Sequence, residues 1–328
     1  MTCILPTYIP KLCFFLSISE LTRKYQFITD YEIFFCSNCF TFEYKINNSK
    51  DIQEKCNFFS HEKALAHLSE TLNFKCTYHF RYDYNHDINN IKHLHKKNGQ
   101  VVAIIHLAAL PHGQFEANSL RNETYHCVRI YDVNNGQFLI YDDYVPSLND
   151  TFIRLKTSLD IKKSWEYIQN YFSIDKPKVI LNKNMFTCIV NKSLSNFLVS
   201  HKENDSKSGI EALACLIDDL EGGILAWNPM QPKNLIGLLF VLKYQLYPAY
   251  CYLLEAMISI HLNMSEMKHY FTKTNMLWKT LFIKLNFMFV RPDMRQVKRI
   301  TDCLKEIRTL LKTIIELSLL QISIEKRN

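Results

Sequence analysis

The feature that most restricts what this chain can fold into is a change of apolar period partway along it. Val101-Val-Ala-Ile-Ile-His106 is a continuous apolar run behind Asn98-Gly99, and His126-Cys-Val-Arg-Ile-Tyr131 and Phe138-Leu-Ile-Tyr141 follow with strand composition. Asn134-Asn-Gly136 between the last two supplies residues that tolerate positive φ, which predicts a hairpin. From Ser208 onward the apolar residues recur at every third or fourth position instead. Ile210, Leu213, Ala214, Leu216, Ile217 and Leu220 share one helix face, with Ser208 and Glu211 placed as a capping box and Gly222-Gly223 as the stop. Further helices are expected between Pro232 and Tyr247, after Pro248, and after Pro292. The last of these carries Val297, Ile300, Leu304, Ile307, Leu311 and Ile314 as a packing face. Two helices are also expected early, over Cys13 to Tyr25 and from a Ser60 N-cap through Leu72. The pattern predicts an α+β chain, with antiparallel strands confined to the first half and helices filling the second.

A length of 328 residues suggests two domains at roughly 150 residues each. With 7 Gly and 9 Pro, long flexible linkers are not expected. The longest charge-free apolar run of the second half, Leu235 to Leu242, ends at Lys243, far short of the roughly 20 residues that span a bilayer. Lys11 interrupts the apolar patch at residues 1–18, which is therefore read as part of the folded structure and not as a secretion signal. Eleven cysteines, an odd number dispersed over a long chain, fit reduced thiols and a cytoplasmic location. Residues 1–150 carry 14 Lys and Arg against 16 Asp and Glu, a sum of −2; residues 151–328 carry 25 against 16, a sum of +9. A basic surface of this kind suits nucleic acid, anionic lipid or an acidic protein, and it is equally the solvated face of lysine-rich helices.

One set of residues has the makings of chemistry. A thiol at the head of a helix, as Cys13 would be, feels partial positive charge that favours its thiolate, and an imidazole such as His126 strengthens this by ion pairing. Asp142, one hairpin further on, can orient that imidazole. On spacing alone, a buried structural Cys13 and a hydrogen-bonded strand His126 remain open as well. Cys36-Ser-Asn-Cys39 has no second pair at zinc spacing, and His86, His93 and His95 fall in an Asn- and Lys-rich stretch read as a solvated loop, so no metal is expected. Asp143 reads as a surface carboxylate, Trp227 and Trp278 as packing residues. No glycine-rich phosphate loop is present, and no cofactor is indicated.

Cys13 followed by Tyr25-Gln-Phe-Ile-Thr-Asp30 and Phe34-Phe-Cys-Ser-Asn-Cys-Phe-Thr-Phe42 resembles the opening of the butirosin biosynthesis protein H family. Gly99-Gln-Val-Val-Ala-Ile-Ile-His-Leu-Ala-Ala-Leu-Pro111, Tyr125-His126 and Asp142 resemble that family's strand, histidine and acid, and Gly209-Ile-Glu-Ala-Leu213 and Leu277-Trp-Lys279 extend the similarity into the second half. The resemblance implies a papain-like domain over residues 1–172, related in fold to bacteriocin-processing peptidases, and a helical domain over 173–328. It implies an acyltransferase of specialised metabolism, in which Cys13 takes an acyl group from a carrier-protein thioester, His126 shuttles the proton and Asp142 fixes the imidazole. The donor would ride on a phosphopantetheine-bearing, acidic acyl carrier protein that docks on the basic half, with a small-molecule amine as acceptor. A cysteine peptidase or amidase and an inactive binding protein of the same stock are the alternatives. The apolar stripe of the last helix would serve as a homodimer face. The chain departs from the family in having Phe35, Ser37, Cys39 and Thr41 where the family loop is mostly glycine or leucine. It also has Thr7 where papain-like enzymes often carry an oxyanion-hole glutamine, and His106 where relatives tend to have an acid.

Overall fold

The computed structural model describes residues 12–57, 60–110, 125–146, 152–199, 205–223, 225, 233–260, 262–291 and 293–325. The chain is a mixture of helices and antiparallel sheets. It divides into two compact units, one made of Lys11–Ser37 and His61–Leu181, the other of Met1–Pro10, Asn38–Ser60 and Asn182–Asn328.

The first unit holds helices α1 (Cys13–Thr22), α2 (Asp30–Cys36), α3 (His61–Leu72), α4 (Tyr84–Asn98) and α5 (Ile161–Trp165). Its strands are β1 (Cys76–Phe80), β2 (Val101–His106), β3 (Tyr125–Asn134), β4 (Gln137–Pro146), β5 (Phe152–Asp160) and β6 (Ile168–Ile174). They form one sheet in the order β1-β6-β2-β3-β4-β5, every pair antiparallel. The expected hairpin joins β3 to β4, with Asn135 and Gly136 both in the left-handed region at φ 48° and 74°. Alternation of side chains gives the sheet two covered faces. Val101, Ala103, Ile105, Val128, Ile130, Phe138 and Ile140 pack with Ile88, Ile91 and Leu94 of α4. The alternate residues meet α1, whose buried Phe14 lies 5.8 Å from Phe172 of β6. Helix α1 rests over β3 and β4.

Two expectations need correcting in this unit. The histidine-rich stretch is a helix and not a loop: Asp83 accepts the His86 amide at 3.0 Å as N-cap, Gly99 ends the helix at φ 77°, and Ile88, Ile91 and Leu94 supply the buried face. The cut expected between residues 172 and 173 falls inside β6, whose neighbours β1 and β2 hold it in the sheet, and the sheet-bearing unit runs on to Leu181.

The second unit contains α6 (Lys183–Leu198), α7 (Gly209–Glu221), α8 (Lys233–Val241), α9 (Tyr247–Ser259), α10 (Met264–Val290) and α11 (Met294–Glu325), with a π-helical turn over Leu242–Leu246 joining α8 to α9. It is not all helical, because Glu43–Lys45 pairs with Cys56–Asn57 on one side and Ser206–Ser208 on the other. That pairing also undoes the expected capping box: Ser208 makes no side-chain cap, and Glu211 pairs with Lys207 at 2.9 Å. Gly209 donates its amide to the Phe42 carbonyl at 2.7 Å with φ +60°, a conformation side chains resist. The six stripe residues of α11 are buried, as is Trp278, whose ring meets Tyr247 at 5.4 Å; Trp227 lies outside the described residues. Among the described residues no helix is long and apolar enough to cross a membrane.

Candidate active site

Cys13 is the first residue of α1. The preceding Leu12 is extended, no side chain caps the helix and no acidic residue occupies its first turn. First-turn amides have no intrahelical acceptor, so the sulfur sits where the helix presents partial positive charge. Phe14, Phe15 and Ile18, each at most 1 % exposed, drive the helix onto the sheet and leave Cys13 half-buried at its near end. A four-membered ionic cluster fixes the helix laterally. Asp143 of β4 accepts from Arg129 of β3 at 2.8 Å and from Arg154 of β5, and Arg154 reaches Glu20 of α1 at 2.7 Å. Asp143 is therefore a buried anchor and not the surface carboxylate its position beside Asp142 suggested; a register shift between Asp142 and Val145 lets the two adjacent acids serve different partners.

The structure brings Cys13, His126 and Asp142 together within this one unit. His126 is the second residue of β3 and Asp142 sits on the neighbouring β4, both buried. The ring Nε2 donates to Asp142 Oδ1 at 2.7 Å, which leaves Nδ1 to serve the sulfur. The Cys13 thiol is hydrogen-bonded to Cys127 and to His126. The Cys127 thiol contact is the strongest influence holding Cys13 well below the ordinary thiol range; burial opposes it, and the charge of His126 adds to it. Burial alone would lower His126, but the Cys13 charge and the Asp142 carboxylate push it up to about 10. Cys127 moves the opposite way, well upward, because it donates to Cys13 and is itself buried. The contacts thus favour the thiolate at Cys13 and the imidazolium at His126, and the neutral thiol at Cys127.

Three neighbours were not foreseen from sequence. Cys127 adjoins His126 in the chain, yet nothing in its spacing marks it. His61 opens α3 and stacks on Phe14 at 4.3 Å; burial lowers its pKa against the pull of Cys13, so it stands neutral beside the pair. Tyr78 of β1, pushed up to about 12 chiefly by burial, accepts from the Asn170 amide.

The remaining candidates do not join the cluster. Cys36 and Cys39 are buried, and burial raises both thiols. His95 lies on α4 with its Nε2 2.7 Å from the Tyr131 carbonyl, and His106 caps a 3-10 turn by accepting from the Ala108 amide at 3.1 Å. Thr7 lies outside the described residues. Among the described residues no three His, Cys, Asp or Glu side chains are placed to hold a metal.

The arrangement places a thiol, an imidazole and a carboxylate in one cluster on a mixed α and antiparallel β unit. No protein-family model matches the chain, and no curated protein matches it.

Proposed function

We propose that the chain is a cysteine-dependent acyltransferase with a papain-like catalytic unit, similar to the butirosin biosynthesis protein H family. The observation that carries this reading is the Cys13 side chain hydrogen-bonded to His126, whose ring is in turn held by Asp142 at 2.7 Å. In the first half-reaction the Cys13 thiolate attacks the carbonyl carbon of a thioester. The new C–S bond forms at Cys13, the bond to the donor sulfur breaks, and the His126 imidazolium gives its proton to the departing thiolate. In the second, an amine attacks the acyl-enzyme, neutral His126 takes the amine proton, and the Cys13 thiolate leaves. Asp142 keeps Nε2 engaged so that Nδ1 faces the reacting atoms throughout. The Cys13 backbone N–H, at the helix start where no side chain caps it, is a donor for the developing oxyanion.

The donor is an acyl group on an acidic carrier protein, and the +9 balance of residues 151–328 supplies charge complementarity for it. Incubation with acylated carrier followed by intact-mass measurement tests the assignment. One acyl adduct on Cys13, absent from Cys13→Ala and slowed about 10²- to 10⁴-fold in His126→Ala, is expected. An adduct from peptides or amides and none from thioesters would make the chain an amidase; no adduct from either would make it a binding protein.

A further inference from the structure

A cleft of about 550 Å³ opens in the sheet-bearing unit, lined by Phe80, Arg81, His106, Tyr125, Tyr167 and Asn170 among others. Strand register places it on the sheet face that carries Cys127. Phe80 pairs with Asn170, Asn170 with Ile104, and Ile104 with Cys127, so one row of side chains crosses four strands on one face and ends at the thiol bonded to Cys13. At roughly 4.8 Å per strand, Asn170 lies about 10 Å from Cys127. The His106 and Tyr125 pair extends the same face by two residues, and Tyr125 is the chain neighbour of His126.

The walls select the occupant. Phe80, Tyr125 and Tyr167 are 62 %, 43 % and 43 % exposed, a concentration of bare rings at one place that a folded chain reserves for a ligand. The His106 ring lies between the two tyrosines, 5.7 Å from one and 6.1 Å from the other. Arg81 is occupied at the rim, donating to the Glu166 backbone carbonyl and lying over the Trp165 ring. The floor is polar at one point. Asn170 is 6 % exposed; its side chain is engaged by Tyr78, and its Oδ1 has no hydrogen-bond partner among the described residues. A buried acceptor left unmet is costly, so a ligand that donates to it gains that much.

We infer that this cleft receives the acyl group itself, and that the group is a planar aromatic acyl bearing a hydroxyl or amino donor for Asn170. This deepens the acyltransferase reading and rests on it for the word acyl, whereas the ring-binding cleft stands without it.

Two measurements keep them apart. The first follows acylation of Cys13 by intact mass with N-acetylcysteamine thioesters of 3- and 4-hydroxybenzoate, benzoate and cyclohexanecarboxylate. Benzoyl should react about tenfold faster than cyclohexanecarbonyl, from ring-on-ring contact. The better hydroxybenzoyl should gain about fivefold more, from the hydrogen bond. Phe80→Ala, an exposed position that does not threaten folding, should shrink the first ratio, and Asn170→Leu the second. The second measurement is saturation-transfer NMR of the matching neutral carboxamides with the Cys13→Ala protein, where the same order is expected. Acylation at equal rates for all four thioesters, unmoved by Phe80→Ala, overturns the cleft and leaves the acyltransferase. Ordered carboxamide binding without acylation by any thioester keeps the cleft and overturns the acyltransferase. Neither signal overturns both.

Discussion

Cys13 and Cys127 are the same residue type in contact, yet their protonation is driven apart by the direction of one hydrogen bond and the side on which His126 lies. The consequence is a pH window. Cys13 has a depressed folded pKa, so its thiolate is lost only as pH falls through that lowered value; His126 is raised, so its proton is lost as pH rises through about 10. Acylation should therefore be bell-shaped, with the alkaline limb near pH 10. Iodoacetamide should label Cys13 at mildly acidic pH while leaving Cys36, Cys39 and Cys127 untouched. Peptide mapping after labelling at a series of pH values checks this, and equal labelling of all four would contradict it. Cys127→Ala removes the donor with the largest effect and should move the Cys13 labelling midpoint upward, with Cys127→Ser restoring part of the shift. The triad residues were legible in the sequence through the order of the family-like segments, since helix start, strand and hairpin acid each left a local signature. Cys127 and His61 were not, because what gives them a role is a contact across the fold and not a spacing along the chain.

At the level of elements, α1 is both a packing unit and the mount for the Cys13 thiol. Phe14 is 1 % exposed among Phe15, Phe172 and His61, and Phe14→Ala should cost about 3–5 kcal/mol in denaturant titration. Asp143→Ala attacks the same mount by charge. It strips the bidentate partner from Arg129, whose side chain is 3 % exposed, and a loss of about 3–5 kcal/mol is expected together with slower Cys13 labelling, because Arg154 loses the carboxylate that aims it at Glu20 of α1. Unchanged labelling would show that the ionic cluster supports the fold without positioning the sulfur. Strands β2, β3 and β4 could be read directly from composition and the Asn-Gly turn. Strands β1 and β5 were missed although Cys76, Tyr78 and Phe80 alternate with Thr77 and His79, and Ile153, Leu155 and Leu159 with Arg154, Lys156, Ser158 and Asp160; β6, Ile168-Gln-Asn-Tyr-Phe-Ser-Ile174, could not be read because Asn170 breaks its alternation. Helix α4 was hidden by its polar residues, although three buried apolar positions and two caps were enough to form it.

Across the whole molecule, the chain leaves the sheet-bearing unit after Ser37, contributes residues 38–60 to the helical unit, and returns at His61. Within the helical unit, Lys55 is 2 % exposed and donates to Asp219 at 2.6 Å, and Tyr44 donates to the same carboxylate at 2.7 Å. Gly209 closes that junction: a Cβ there would sit 2.0 Å from the Phe197 carbonyl oxygen, so Gly209→Ala should destabilise by more than the 1–2 kcal/mol of left-handed strain alone, which thermal unfolding would measure. A periodicity argument cannot reveal such an excursion, because residues 38–60 look like any other short mixed segment until their partners 150 or more positions away are known.

The excursion decides how the protein can be taken apart. A gene fragment stopped at codon 181 retains Lys55 but discards Asp219, stranding an ammonium that was buried, and retains Glu43–Lys45 with the Ser206–Ser208 edge stripped away. Such a fragment should be recovered as aggregate, whereas one in which a short Gly-Ser bridge replaces residues 38–60 should be soluble and show dispersed amide resonances. Recombination by domain exchange meets the same rule: the thiol-bearing half is carried on two segments, Lys11–Ser37 and His61–Leu181, so lifting it out intact takes four crossovers, at 10/11, 37/38, 60/61 and 181/182.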